Sequence, residues 1–342
     1  MKLENGIACC LYRRIFSEHQ IQVFPTLSHS LPLFITKPTL RFPTSNNMSS
    51  LRIFRGFMRS TSGQILQRSL SSLPNLHCNA IAEAQSAPHV QKINSLLKER
   101  GILKISLQFD DDDCTYLKSL LLNLHRDFGH GLPITHSASR GWFWDIRPQD
   151  GAGHAEGGSV VTARSETMDN FPWHTDCSYE TSPPRYFALQ VVRADQCGGG
   201  TLSVLDADSL LSVLSPSTVE SLCRKEFRIT VPPEFIKSEH QKNINGSVLR
   251  VDEAGGKVQL RFRQDIIHAS TARAEAALAE LQKALADSRI RGQVLDLAPD
   301  VLPRGSVVLI DNRRWLHARN HVRDPNRHLR RVRWDAQPFD TM

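Results

Sequence analysis

Two histidines in this chain stand two places before an aspartate, in His125-Arg126-Asp127 and His174-Thr175-Asp176. Fourteen histidines would supply roughly one such triplet by chance, so the spacing alone decides little. The second triplet has better company. Phe171-Pro172-Trp173 leads into it, Cys177-Ser178-Tyr179-Glu180 leads out, and Thr181-Ser182-Pro183-Pro184 makes a turn into an apolar strand. Two neutral imidazoles and one carboxylate on one face of a divalent metal leave the remaining positions open for a chelating co-substrate and then dioxygen, the ligand set of non-haem iron(II) chemistry. Such a site needs a second, distant histidine on a neighbouring strand.

Other suggestive letters fail on context. His125-Arg126-Asp127-Phe128-Gly129 overlaps two protein-kinase motifs that work only when apart, and no Gly-rich loop precedes them. Gly198-Gly199-Gly200-Thr201 lacks the lysine of a phosphate loop. Asp110 to Asp113 read as a solvated helix N-terminus.

The elements around the motif define its frame. Strands are expected at Gly101–Phe109, Tyr186–Ala194, Thr201–Ala207, Phe227–Pro232, Gln293–Ala298, Ser306–Asp311 and His328–Trp334, with a hairpin over 248–262 turning on Gly255-Gly256. Helices are expected from the Asp111 run to Phe128 and from Ala269 to Ser288, the latter a lid or buttress. Many strands with few helices suggest a mainly β fold, a barrel or sandwich with flanking helices. No apolar run approaches the ~18 residues that span a bilayer, so no membrane partner is expected.

The net charge of +7 would hint at nucleic acid if it lay on the folded body. Residues 1–82 carry nine Lys or Arg against Glu4 and Glu18, and the remainder is balanced at 33 of each sign. No nucleic-acid partner is therefore expected. Residues 1–82 read as a basic, Ser/Arg-rich leader whose stretch after Met48 could form an amphipathic helix, the composition of a mitochondrial transit peptide. A disordered tail on a cytoplasmic protein with its start at Met48 is the alternative. The globular domain is expected over 89–342. The seven cysteines include no C-x-x-C pair, which argues against a disulfide framework and a structural zinc site.

From about residue 100 onward the chain resembles the TauD/TfdA family of Fe(II)/2-oxoglutarate dioxygenases. Four ordered pieces carry the resemblance: Pro172-Trp173-His174-Thr175-Asp176, then Pro183-Pro184-Arg185-Tyr186, then Gly198-Gly199-Gly200-Thr201, then Asp311-Asn312-Arg313 leading to His317 and an Arg-rich last strand. The resemblance implies a double-stranded β-helix, the clavaminate synthase-like jelly roll, and an oxygenase using Fe(II), 2-oxoglutarate and O2 on a small-molecule substrate. It matches His174, Asp176 and His317 to the metal ligands. His321 and His328 are rivals of His317 without its context. Thr201 matches the co-substrate hydroxyl.

The far carboxylate of 2-oxoglutarate needs a cation, and a guanidinium pairs with it two-pronged. Alternation places Arg327, Leu329, Arg331 and Arg333 on one strand face, with His328 and Arg330 on the other. The family pattern makes Arg327 the co-substrate anchor. Arg331, about 13 Å further along at roughly 3.3 Å per residue, is left for an anionic substrate, with Asp311 or Asp335 as internal rivals. Trp142, Phe143, Trp144 and Trp173 are read as core more than substrate mouth, and Cys177 as a buried filler. Two other functions fit the pattern less well: a protein-residue hydroxylase with the same metal site, and a non-catalytic jelly-roll binding protein.

Overall fold

The computed structural model describes residues 73–135, 141–149, 162–237, 241–251 and 257–340. The segment after Met48 and the Gly255-Gly256 turn lie outside them.

The strands run β1 (Asn75–Cys78), β2 (Ile102–Leu107), β3 (Phe143–Ile146), β4 (Phe171–His174), β5 (Pro184–Arg193), β6 (Leu202–Asp206), β7 (Phe227–Thr230), β8 (Asn243–Gly246), β9 (Leu249–Val251), β10 (Val258–Leu260), β11 (Ile267–Ala269), β12 (Leu295–Leu297), β13 (Ser306–Asp311), β14 (Trp315–Arg319) and β15 (His328–Ala336). A larger sheet orders them β1-β2-β13-β5-β15-β3 and a smaller one β12-β6-β14-β4. These two sheets are the faces of a jelly roll. The three-stranded sheet β11-β7-β8 and the β9–β10 hairpin belong to an insertion between β6 and β12. Expected strands and hairpin are present, and the inserted helix spans Ala272–Leu285. The fold starts earlier than His89: β1 pairs in parallel with β2, and four residues are too few for alternation to betray a strand.

The central strands of the larger sheet are buried on both faces and so read as near-continuous apolar runs. Outward, Tyr186, Ala188, Leu309, Val332 and Trp334 pack under two helices, α1 (Ala87–Arg100) and α2 (Thr115–Phe128). Inward, Phe187, Leu189, Val308 and Leu329 meet Leu202, Val204 and Trp315 of the smaller sheet. The acidic run does cap α2: Asp111 accepts from the Thr115 and Tyr116 amides at 2.8 and 3.1 Å. Trp142 and Phe143 pack against the outer core and Trp144 belongs to the inner one.

Candidate metal centre

β4 ends on His174, and the chain then turns sharply, with Cys177 in the left-handed region at φ 54°. His317 lies mid-strand in β14, directly opposite His174. The Asn312 side chain, from the turn between β13 and β14, accepts from the Asp176 amide at 2.7 Å and donates to the Asp176 carbonyl at 2.9 Å. Asn312 of the Asp-Asn-Arg triplet thus braces an aspartate 136 residues earlier. Arg313 donates to the Pro183 carbonyl at 3.3 Å, tying the same turn to the start of β5.

These braces bring the three expected ligands together. Nε2 of His174 and of His317 lie 3.8 and 3.6 Å from Asp176 Oδ1, and all three residues are buried. The ligand atoms lie within 4.8 Å of one another. His174 Nδ1 faces the Pro172 carbonyl at 2.7 Å and must carry the proton there, which turns the Nε2 lone pair toward the cluster. Burial, then the neighbouring His317, holds the His174 pKa well below the usual imidazole value, so the ring is neutral. Phe171 stacks on His174 with centroids 3.6 Å apart, and Phe187 packs on His317 at 4.7 Å.

Asp176 is held at its other oxygen. Oδ2 accepts from Arg333 Nε at 2.7 Å and lies 3.5 Å from Arg331 Nη1, leaving Oδ1 for the histidines. Burial alone would raise this carboxyl, but the Arg331 and Arg333 guanidinium groups outweigh it and hold the pKa well below the ordinary carboxylate range. Two imidazole nitrogens and one anionic oxygen, convergent and buried, suit a borderline divalent ion such as Fe(II), and three protein donors leave room for exchangeable ligands.

The arginines divide into two settings. Among the described residues Arg331 and Arg333 share one carboxylate within 4 Å, that of Asp176, two cations to one anion. The Arg331 guanidinium also lies over the Trp144 ring at 5.6 Å, and its Nε makes no hydrogen bond. Neither Asp311 nor Asp335 neutralises Arg331, contrary to the rivals that the sequence offered. Asp311 lies 3.7 Å from Arg185, and Asp335 accepts from the Gly131 amide. Both arginines line a cleft beside the cluster, together with Phe171, Tyr179, Glu234 and Phe235.

Arg327 stands apart. It precedes β15, at the entrance to the strand beyond a register shift at His328/Leu329. It is 5% exposed, yet among the described residues its guanidinium has no hydrogen bond and no carboxylate within 4 Å. Burial brings its pKa down to about 10, opposed by the charge of Asp195. A Cβ on Gly200 would come 2.9 Å from Arg327 Nε, so the Gly200-Thr201 backbone runs directly against this guanidinium. Gly199 is equally constrained, because a Cβ there would meet the His321 carbonyl at 2.5 Å. Asp195 pins the loop by accepting from the Cys197, Gly199, Arg323 and Asp324 amides. Gly200 and Arg327 line a second cleft with Leu189, Leu202 and Leu329, and Thr201 follows Gly200 in the chain without being part of that lining.

Sequence reasoning missed Arg333 as an Asp176 partner, although alternation had put it on the right face. It also missed Arg319, two residues after His317 and 8% exposed. Arg319 donates to the Ser165 and Thr167 carbonyls at 3.0 and 2.8 Å and to that of Asp169, fixing the segment before β4. The rival histidines lie elsewhere. His328 Nε2 meets Asp145 at 2.6 Å, and His321 is not in the cluster. Arg126 and Asp127 of the other H-x-D triplet pair with each other on α2.

A jelly roll with a buried two-histidine, one-carboxylate cluster between its sheets defines a non-haem iron oxygenase architecture. The chain belongs to the taurine catabolism dioxygenase TauD, TfdA family, whose model matches residues 75–333. L-asparagine oxygenase of Streptomyces coelicolor (strain ATCC BAA-471 / A3(2) / M145) is 29% identical over 147 residues. That match spans 43% of this chain and 41% of the length of that relative. The structure of asparagine oxygenase with Fe(II), 2S,3S-3-hydroxyasparagine and succinate superposes with TM-score 0.56 at 19% identity, covering 76% of this chain and 92% of that one. The non-haem iron oxygenase OrfP with Fe and alpha-ketoglutaric acid gives TM-score 0.56 at 17% identity, covering 78% and 95%. At these identities the superpositions show the fold.

Proposed function

We propose that this chain is an Fe(II)- and 2-oxoglutarate-dependent oxygenase that hydroxylates a small organic anion of the amino-acid type, releasing succinate and carbon dioxide. The observation that carries the reading is the buried convergence of His174 Nε2, His317 Nε2 and Asp176 Oδ1, with Asp176 Oδ2 clamped by Arg333. These three residues would hold the iron, which with O2 and 2-oxoglutarate supplies the oxidising equivalent for an unactivated C–H bond.

The remaining roles follow from charge and shape. Arg327, buried against Gly200 and without a carboxylate partner among the described residues, suits the far carboxylate of 2-oxoglutarate, since a buried cation without a partner costs several kcal/mol. The positive charge left over at Arg331 and Arg333 suits an anionic substrate group. Phe171, Tyr179 and Phe235 wall the cleft against water, and Glu234 at its edge offers a partner for an ammonium. The mixture of aromatic walls and a few charged groups in this cleft suits a small polar molecule. The names of the relatives, which concern asparagine and hydroxyarginine, support the amino-acid class.

The test is succinate release from 2-oxoglutarate with Fe(II) across a panel of amino and hydroxy acids. Stimulation by an amino acid, lost about 10²-fold in Arg331→Ala and by more than the slow substrate-free turnover, which also loses a support of Asp176, is the expected result. Stimulation unchanged in that variant would remove Arg331 from substrate binding.

The basic leader supports import into mitochondria with removal of most of residues 1–80. A tagged full-length chain that stays uncleaved in the cytosol would contradict it.

A further inference from the structure

A second group of metal-ligating side chains lies far from the oxygenase cluster in the fold, where β1 passes into a 3-10 turn (Ile81–Gln85) and α1. Cys78, Glu83 and His89 come from these three successive elements, and their ligand atoms lie within 4.8 Å of one another. Cys78 is fully buried, and the side chains of His89 and Glu83 are 13% and 32% exposed.

Each partner is pre-set by its neighbours. Glu83 Oε1 accepts from the Asn79 and Ala80 amides at 2.7 and 3.2 Å, which fixes the carboxylate and leaves Oε2 free to turn to the cluster. His89 Nδ1 faces that Oε2 at 3.8 Å, about half an ångström longer than the ~3.3 Å nitrogen–oxygen edge of a zinc tetrahedron, a gap that a small turn of the partly exposed Glu83 closes. The other ring nitrogen, Nε2, is 2.7 Å from the Tyr116 hydroxyl of α2. This repeats the arrangement at His174, one ring nitrogen anchored and the other turned inward, which is the usual support of a metal-bound histidine. The Cys78 thiol donates to the Ala80 carbonyl at 3.4 Å and also neighbours the Tyr116 hydroxyl and the Glu83 carboxylate.

We propose that Cys78, Glu83 and His89 form a second metal site, selective for zinc or a similar thiolate-accepting divalent ion and separate from the iron centre. One sulfur, one imidazole nitrogen and one carboxylate oxygen are a tetrahedral zinc donor set lacking one ligand, which water can supply. Binding forms a metal–sulfur bond and releases the Cys78 thiol proton to solvent. The oxygenase cluster has no sulfur donor, so the two sites differ in ligand softness. The ion would clamp β1 and the turn after it to α1 and, through Tyr116, to α2. The spacing C-x4-E-x5-H resembles no zinc-finger pattern, which is why cysteine counting passes over it.

Cobalt(II) is the probe, because thiolate ligation gives it an intense near-ultraviolet charge-transfer band that nitrogen and oxygen ligands do not. The full-length protein titrated with cobalt(II) should show this band, saturating at one equivalent in the His174→Ala background where the iron centre no longer competes. His89→Ala and Cys78→Ser should lose it, and His174→Ala should keep it. Cys177→Ser is included because that thiol borders the iron centre, and it too should keep the band. In a His174→Ala background, where the iron centre no longer competes for the ion, zinc should raise the melting temperature by about 5 °C at a hundredfold excess over its Kd, and leave the His174→Ala/His89→Ala double variant unmoved. Should Cys78→Ser fail to fold, the exposed-edge variant Glu83→Gln replaces it, with a weakened band expected. A wild type with no band, a band that survives His89→Ala, or one that disappears in Cys177→Ser would overturn the site.

Discussion

The two faces of β15 carry opposite kinds of side chain, although they share one backbone. Outward, Val332 and Trp334 are fully buried under the helices, and Trp334 donates to His130 at 3.2 Å and stacks on Tyr186. Inward, Leu329 is followed by Arg331 and Arg333, two buried cations sharing one carboxylate. Apolar packing on both faces would be the more stable solution for a strand buried on both sides. The outer face obeys that rule and holds the fold. The inner face breaks it, and a local rule broken without structural gain marks the place where the chemistry is.

That contrast can be broken by variants that should separate stability from activity. The largest effect is expected from Trp334→Ala, which empties a large buried site and should cost about 4 kcal/mol in denaturant unfolding. Succinate release per folded molecule should fall far less than it does in the inner-face arginine variants. Equal losses in both assays would mean that the two faces are not separable.

Next comes the pH dependence of the outer face. Burial lowers the pKa of His130 from 6.5 to about 4. Above pH ~6.5 both folded and unfolded states hold the ring neutral, and nothing is lost. Between pH ~6.5 and ~4 the unfolded chain takes up a proton that the native state refuses, so stability should decline by about 2–3 kcal/mol as pH falls. His130→Gln should flatten that slope, and an unchanged slope would place the dependence elsewhere.

On the inner side, Arg327→Ala should raise the KM for 2-oxoglutarate about 10²-fold, the scale of one lost charged contact of roughly 3 kcal/mol. The melting temperature should hold or rise, because the variant removes a buried cation that has no partner. Arg327→Ala with an unchanged KM would move the co-substrate anchor to Arg331 or Arg333.

Local signals made part of this architecture readable in advance. His174 and Asp176 are two residues apart, the Asp-Asn-Arg triplet marks the turn before His317, and strict alternation separated Arg331 and Arg333 from Arg330. What pairs with what was not readable. Arg331 and Arg333 meet an aspartate more than 150 residues earlier in the chain, and that contact exists only because β15 is paired with β5 while β4 is paired with β14 in the facing sheet. Neither register leaves a mark in the residues nearby. β1 was invisible for a related reason: Asn75–Cys78 is an edge strand defined by its parallel neighbour, and its alternation runs over only four residues. Asn312 and Arg319 were likewise ordinary letters until the strands they brace were in place.

The central claim is that Asp176, fixed by Asn312 and clamped by the two arginines, completes the iron site with His174 and His317. Its most direct test is the Asp176→Ala variant with Fe(II), 2-oxoglutarate and O2, scored by succinate release against the wild type. The account predicts loss of at least about 10³-fold, because two imidazoles without the carboxylate hold the ion weakly and leave two buried guanidinium groups unpaired. Turnover close to wild type in a folded Asp176→Ala protein, without added carboxylate, would contradict it.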